Sequence, residues 1–265
     1  MSADATAGPG EGPPAGTASL RARLRGSEPV VALFSVIPSP AIAELAAHAG
    51  FDAIVFDTEH GPLGPESLNA LVPVARSAGI FPIVRVRENE GSLIGAALDV
   101  GAAGVMVPQI GSGAAAAAAV AAARFAPLGH RGANPYVRSA RYAGGRPYFE
   151  RANAESAVIL MIEGRGGVDA LGEILAVPSL DAVFVGPFDL SQSLGLTGQT
   201  DHPAVVDKMR EIVARAAAAG VAAGVFAPTA EGAVRWRALG VRFIALGFDS
   251  ALALEGLRRA RSVLP

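Results

Sequence analysis

The 265-residue sequence contains no cysteine, and lysine supplies only one of its 22 basic residues, Lys208. The lack of cysteine excludes a thiolate nucleophile, a thiolate-ligated metal and any disulfide. The single lysine leaves only one candidate for catalysis through a Schiff base. Any chemistry must therefore depend mainly on carboxylates, histidine and arginine.

Long apolar runs are also missing, although 51% of the residues are hydrophobic. Glycine, proline or charged residues interrupt each run well before the roughly 20 residues that a membrane span requires. Residues 1–19 are rich in Gly, Pro, Ala and Thr and lack a cationic stretch followed by an apolar core, so we expect a disordered tail and not a signal peptide. We expect a cytoplasmic protein.

The charge pattern gives no sign of a macromolecular surface. The net charge is −2, the pI is near 6.1, and no basic patch is interleaved with aromatic residues. Nucleic acids and membranes are therefore not expected as partners, and small molecules are.

Eight short apolar runs alternate with helical segments. Helical spacing is clear in residues 65–79 and 202–220, and the second segment ends at the capping residue Gly220. This order predicts a single (β/α)₈ barrel over residues 20–265, with strands near 30–37, 53–58, 81–86, 104–109, 157–162, 182–186, 222–227 and 242–247. The rival fold, an open doubly wound sheet, would usually have fewer strands and a glycine-rich phosphate turn after the first strand, where this chain reads IPSPAIAE.

One irregular stretch, residues 127–156, is too long for a simple connection between a helix and a strand. It contains five arginines and all three tyrosines of the chain. This composition favours a lid or a protein interface over disorder.

Charged residues stand where four of the strands end. Glu163 and Asp189 are 26 residues apart, about one β/α unit, so they should lie on neighbouring strands with their carboxylates close together. Two such carboxylates need a cation or a shared proton, and hard oxygen ligands favour Mg²⁺ or Mn²⁺, with Co²⁺ or Zn²⁺ as alternatives. The structural alternative is that Asp189 only caps a helix and Glu163 only pairs with Arg165.

Asp57 and His60 follow strand two as an Asp-x-x-His turn, in which the carboxylate could orient the imidazole of a general base. Arg85 ends strand three and could bind a substrate carboxylate or a developing oxyanion, or simply pair with Glu88 or Glu90. The other histidines, His48, His130 and His202, are not placed for catalysis.

The charges of these residues favour a 2-oxo acid substrate such as pyruvate. A divalent metal would neutralise Glu163 and Asp189, leaving Arg85 to balance one anion. The metal would acidify the C3 protons, and Arg85 would help to stabilise the enolate, as in the first half of an aldol reaction. A Schiff-base route is not expected, because Lys208 lies in a helix on the outer ring.

At these residues the sequence resembles the HpcH/HpaI family, metal-dependent class II pyruvate aldolases of the phosphoenolpyruvate/pyruvate barrel superfamily. The resemblance covers residues 20–262 and is carried by GFDAIVFDTEHGP, VRVRENE, DVGAAGVMVPQI, ARFAPLGHRG, MIEGRGGVDAL, VFVGPFDLSQSLG and HPAV.

The resemblance implies that Glu163 and Asp189 hold the metal, that His60 with Asp57 is the base, and that Arg85 stabilises the enolate. It further implies that backbone N–H groups at Gly186 and Phe188 meet the pyruvate carboxylate. Members of the family are commonly hexamers, trimers of dimers, with the last helix packed on a neighbouring subunit.

Three departures from the family pattern leave the substrate open. Met161 replaces a glutamine that would contact substrate, Gly164 and the residues after it lack a small hydroxyl, and Gln109 replaces an apolar residue and could restore a polar contact.

Three functions remain in competition. The first is an aldehyde-lyase that reversibly cleaves a 4-hydroxy-2-oxo acid to pyruvate and an aldehyde. The second keeps the enolate but uses oxaloacetate or an acyl-CoA in biosynthesis, as a decarboxylase, a citrate-synthase-like enzyme or a CoA-ester lyase, with the arginines of residues 131–151 available for phosphates. The third is a barrel that binds a metabolite without catalysis.

Overall fold

Eight parallel strands form a closed barrel in sequence order, with β8 pairing back to β1. The structure, a computed structural model, describes residues 18–263, so most of the predicted tail lies outside the described residues. The (β/α)₈ prediction is confirmed, and the open-sheet alternative is wrong. The strands are β1 Val30–Ser35, β2 Ala53–Asp57, β3 Phe81–Arg85, β4 Gly104–Val107, β5 Ala157–Ile162, β6 Ala182–Val185, β7 Ala222–Ala227 and β8 Phe243–Phe248.

Twelve α-helices accompany the strands within the described residues. They are α1 Leu20–Arg25, α2 Pro40–His48, α3 Pro65–Ser77, α4 Gly91–Asp99, α5 Gly113–Ala123, α6 Arg146–Glu155, α7 Arg165–Asp169, α8 Leu171–Leu175, α9 Pro187–Ser193, α10 Pro203–Ala218, α11 Ala230–Ala238 and α12 Asp249–Arg261. The predicted cap Gly220 has φ +72 just after α10, a backbone conformation that glycine adopts without strain. No helix of the described chain is long and apolar enough to cross a membrane; the cytoplasmic location stays a prediction.

The strands are almost wholly apolar because they are buried on both faces. One layer of side chains fills the barrel interior, including Phe34, Met161, Phe184 and Phe243, and a second layer packs between strands and helices. The parallel register sets Asp57 directly beside Arg85 at the ends of β2 and β3. The core therefore fixes the position of two predicted site residues.

Helix α1 packs at the N-terminal face, the end of the barrel where the strands begin. Its buried Leu20 and Leu24 belong to the same apolar cluster as the barrel interior. Arg21 pairs with Asp181, which directly precedes β6, and Arg23 pairs with Asp52, which precedes β2. The sequence shows this helix only through two leucines spaced four apart, a signal too short to be decisive.

The irregular stretch 127–156 is more ordered than expected, since it contains a 3₁₀ turn, Arg138–Ala140, and the whole of α6. It joins the end of α5 to the start of β5, so both of its ends lie at the N-terminal face. Arg131 pairs with Asp99 at the end of α4, and the 3₁₀ turn packs against α4. A lid and an interface both stay predictions for this stretch.

Candidate active site

The carboxyl ends of the strands, called here the mouth, gather Asp57, Arg85, Glu163 and Asp189. In (β/α)₈ enzymes this is the face that carries catalytic residues. Two of them, Glu163 and Asp189, line a cavity of about 390 Å³, whose other lining residues are Gln109, Ile110, Gly111, Gly164, Gly166, Gly167, Gln192 and Ser193. Arg85 stands at the end of β3, next to β4, and the Gln109 turn follows β4.

Asp57 is fully buried and binds Arg85, not the imidazole of His60. Its Oδ1 accepts from Arg85 Nε at 2.9 Å and its Oδ2 accepts from Arg85 Nη2 at 2.6 Å. Oδ1 also accepts from the backbone N–H groups of Glu59 and His60. The predicted contact between the Asp57 carboxylate and the His60 ring is therefore wrong, because a paired guanidinium and the turn itself occupy both oxygens.

Arg85 is the cation of the mouth, as expected, and is itself buried. Its partners are Asp57 and Glu59, whose Oε2 lies 3.1 Å from Arg85 Nη1, so the alternative pairing with Glu88 or Glu90 is not what the structure shows. The guanidinium also lies over the ring of Phe34, 5.1 Å from its centroid. A guanidinium has five N–H donors, so some remain for a substrate oxygen.

Sequence reasoning missed Glu59. Its Oε1 accepts from Gln109 Nε2 at 3.3 Å, whereas its buried Oε2 has no hydrogen-bond partner. Burial, the largest cause, raises the pKa of this carboxyl, and the nearby Arg85 and His60 oppose that shift. The overlooked signal was its place inside the Asp-x-x-His turn, two residues after Asp57 and directly before His60.

His60 lies at the outer edge of the same turn with 66% of its side chain exposed, and its Nε2 is 4.0 Å from Glu59 Oε2. Glu59, not Asp57, is therefore the carboxylate beside the imidazole.

Glu163, which follows β5, is buried and lines the cavity. Its Oε1 accepts from the backbone N–H of Gln109 at 2.6 Å. Burial, the largest cause, raises its pKa to about 7; the negative charges of Glu59 and Asp189 contribute to this rise, and the hydrogen bond from Gln109 and the charge of Arg85 oppose it. Such a carboxyl takes up a proton readily unless a cation lies beside it.

Asp189 lies in the first turn of α9 with an exposed side chain, and the residue that caps this helix is Gly186. The alternative role for Asp189 as the helix cap is therefore wrong. A Cβ at position 186 would lie 2.8 Å from Glu163 Oε2, so glycine allows the close approach of this turn to the carboxylate. Phe188 follows with its side chain 53% exposed and its ring 6.2 Å from that of Phe226.

Two of the three departures from the family pattern, at Gln109 and at Gly164, line this cavity, and the third, Met161, lies close to Gly186. Met161 is buried in the barrel interior, with its methyl group 3.5 Å from the Cβ position at Gly186. Gln109 has φ +55, unusual for a residue other than glycine, and turns its backbone toward Glu163 and its side chain toward Glu59. Gln109 thus bridges the two carboxylates, and its amide supplies a polar group at the rim while the floor under Gly186 is apolar.

The remaining candidates lie elsewhere. Lys208 pairs with Glu211 on the surface of α10, which agrees with the exclusion of a Schiff base. His202 caps α10 through Nδ1, which accepts from the backbone N–H of Ala204. The side chains of His48 and His130 are exposed.

The family model for HpcH/HpaI aldolase/citrate lyase matches residues 31–256. The chain belongs to this family.

Relatives within the family support an aldolase. The hydroxypyruvate/pyruvate aldolase of Paraburkholderia phytofirmans is 38% identical over 250 residues, which cover 92% of this chain and 96% of the relative. The crystal structure of a family protein from Burkholderia cenocepacia J2315 has a TM-score of 0.88 at 38% identity, covering 93% of this chain and 98% of that chain. The citrate synthase SbnG has a TM-score of 0.85 at 33% identity, covering 92% and 96%.

The residues of this family member fit a divalent cation. Glu163 and Asp189 come from neighbouring β/α units and line one cavity. Their negative charges repel each other, and a cation between them would replace this repulsion with attraction. Within residues 18–263 no group of three or more His, Cys, Asp or Glu side chains could hold a metal. Mg²⁺ is commonly held by two protein carboxylates, with water and substrate completing its coordination.

Proposed function

We propose that the protein is a divalent-metal-dependent aldolase that reversibly cleaves a 4-hydroxy-2-oxo acid to pyruvate and an aldehyde. The observation that carries the proposal is the pair Glu163 and Asp189 on one cavity, with the buried Arg85 at the end of β3. Mg²⁺ and Mn²⁺ are the favoured ions, since the available ligands are carboxylate oxygens.

The metal, when bound, supplies a Lewis acid that draws electrons from the keto group and so acidifies the C3 protons. Arg85 offers its remaining N–H groups to the oxygen on which negative charge develops. His60, which is exposed at the rim, is the candidate general base. Backbone N–H groups of the turn at Gly186 and Phe188 would orient the substrate carboxylate.

Exchange of the methyl protons of pyruvate in D₂O tests this proposal without knowledge of the aldehyde. Wild-type protein with Mg²⁺ or Mn²⁺ should exchange them, EDTA should suppress the exchange reversibly, and Glu163→Ala or Asp189→Ala should lower the rate at least about 10³-fold. Glu66→Ala, on the exposed surface of α3, is the control. Full exchange in the Glu163 or Asp189 variants would overturn the metal assignment, and no exchange by wild type would favour a barrel that only binds a metabolite.

A second candidate uses oxaloacetate or an acyl-CoA as substrate, and the similarity to the citrate synthase SbnG favours it. The arginines of residues 131–151 give it less support than expected from the sequence, because this stretch packs at the N-terminal face and on the outside of α4. Turnover of oxaloacetate or CoA esters that exceeds turnover of pyruvate would favour this candidate.

We further propose a homohexamer, a trimer of dimers, as is common in the family. The support in the structure is a set of exposed leucines on α12, Leu252, Leu254 and Leu257, of which Leu254 and Leu257 are three residues apart and so lie on one face. Measurement of the solution mass tests this assembly.

A further inference from the structure

The turn after β2 contains two carboxylates with very different surroundings. Asp57 has a hydrogen bond on each oxygen and forms an ion pair with Arg85 through two contacts. Glu59 shares the same guanidinium, but only through Nη1. One positive charge cannot balance two carboxylates, and the better geometry belongs to Asp57.

Glu59 is therefore undercompensated at Oε2, an atom that is buried. Its Oε2 has no hydrogen-bond partner, while the amide of Gln109 holds its Oε1. The charged or titratable groups around it are Arg85 from β3, Asp57 and His60 from its own turn, and Glu163 beyond β5. A buried carboxylate with a free lone pair strongly favours a new donor or cation beside it.

His60 is the group that can supply this donor. Its Nε2 is 4.0 Å from Oε2, about 1 Å longer than an ordinary hydrogen bond. The ring is largely exposed, so we expect that a small rotation of the side chain closes the gap. An Nε2–H donated to Glu59 would leave Nδ1 unprotonated and available as a base.

We propose that Glu59 and His60 form the proton-transfer pair of this site, with Glu59 as the positioning residue of His60, and that Asp57 serves only to fix Arg85. This inference rests on the proposed aldolase function. The C3–H bond of the oxo acid breaks, its electron pair stays on the substrate as the enolate, and the proton goes to Nδ1 of His60. The Glu59 carboxylate stabilises the imidazolium that results. The reverse transfer returns the proton to C3.

The pair accounts for Gln109, whose amide fixes Oε1 so that Oε2 stays directed at Arg85 and His60. Gln109 is then a second positioning residue, at a position where the family pattern has an apolar side chain. The glutamine at position 109, which replaces an apolar residue of the family pattern, thus supports proton transfer at the rim of the mouth.

The test compares Glu59→Gln with Asp57→Asn in the pyruvate exchange assay across pH. Glu59→Gln should lower kcat/KM about 10- to 100-fold. It should also move the rising limb of the pH profile to lower pH, because a neutral neighbour no longer stabilises the imidazolium. Asp57→Asn should weaken the hold on Arg85, raise KM and leave that limb in place. Glu59→Asp, which keeps the charge, should return the limb toward its wild-type position.

Two results would overturn the inference while leaving the aldolase proposal intact. In the first, the wild-type protein exchanges the pyruvate protons, but the rising limb of the pH profile moves in Asp57→Asn and stays in place in Glu59→Gln. The other is a Glu59→Gln variant with unchanged kcat/KM. Gln109→Leu should give a smaller loss than Glu59→Gln, about three- to tenfold, with the limb moved in the same direction. Unchanged far-ultraviolet circular dichroism and unchanged metal binding in each variant exclude a general folding defect.

Discussion

The two ends of this barrel both bury charged side chains, but they treat them in opposite ways. At the N-terminal face, Asp181 accepts hydrogen bonds from Arg21, Arg25 and Arg124 and from the backbone N–H of Val158. At the mouth, Glu163 accepts a single backbone hydrogen bond, and one oxygen of Glu59 has no hydrogen-bond partner. The carboxylate at one end has a donor for each of its roughly four acceptor sites, and the carboxylates at the other end have too few donors.

This difference has electrostatic consequences that can be read from the buried groups. Burial lowers the pKa of Arg124, and because the charge of Asp181 opposes this shift the pKa stays at about 10 and the group is cationic at neutral pH. Burial and, to a smaller extent, the neighbouring carboxylates raise the pKa of Glu163 to about 7. The N-terminal face therefore holds stable charges that support the fold, whereas the mouth holds charges that a ligand or a proton must complete.

The largest effect on stability should come from Asp181→Ala, which leaves Arg124 buried without its partner. Removing one member of a buried ion pair costs about 3–5 kcal/mol of unfolding free energy. Urea unfolding measures that loss, and pyruvate exchange per folded molecule should stay within about twofold of wild type, because positions at this face serve stability. The control is Asp207→Ala, which breaks an exposed pair with Arg210 on α10 and should cost no more than about 1 kcal/mol. Equal losses of unfolding free energy in Asp181→Ala and Asp207→Ala would contradict a stabilising role for the buried charges of the N-terminal face.

Glu163→Gln should raise the free energy of unfolding in protein without added metal, whereas Asp181→Ala lowers it. The pKa of Glu163 is about 7 in the folded chain, against an ordinary value of 4.5, so the folded state binds a proton more tightly between these pH values. Stability of wild type should therefore fall as pH rises from about 4.5 to 7, by at most about 3 kcal/mol from this group. The variant lacks this contribution and should be the more stable protein at pH 8.

Urea unfolding of both proteins at pH 5 and pH 8, with and without Mg²⁺, measures the effect. The two should differ little at pH 5 and diverge at pH 8, and Mg²⁺ should stabilise wild type alone. A variant that is less stable than wild type at pH 8 without metal would show that Glu163 supports the fold, as Asp181 does.

Much of the fold was predictable because each β/α unit repeats the same local pattern. Buried strands give unbroken apolar runs, and glycines such as Gly220 end the helices between them, so the strand bounds follow from the sequence within one or two residues. Helix α1 was not predictable, because six residues carry too little periodicity. The stretch 127–156 was misread because its order depends on tertiary contacts, such as that of Arg131 with Asp99.

For the site as well, sequence spacing determines which residues come together, whereas tertiary contacts determine how their side chains pair. The separation of Glu163 from Asp189, and of Asp57 from Arg85, follows from one β/α unit and so could be predicted. The pairing of each carboxylate with its cation could not be predicted, because it depends on the directions of the side chains within one turn. The Asp-x-x-His pattern indicated a contact that Arg85 prevents, and it concealed Glu59 between its two ends.

The smallest effect that still separates the two ends should come from Gly186→Ala. The backbone at 186 has φ −84, which alanine adopts without strain, so only the added methyl group acts, and it would lie 2.8 Å from Glu163 Oε2. Overpacking of this kind costs about 1–3 kcal/mol, and here we expect it to appear as a five- to 30-fold loss of Mg²⁺ affinity in calorimetric titration, since the exposed turn of α9 can yield. Gly95→Ala, in α4 with no atom within 4 Å of the new Cβ, is the control and should leave the affinity unchanged. Wild-type affinity in Gly186→Ala would mean that the Glu163 carboxylate moves freely, and that the mouth is no more tightly constrained than the surface.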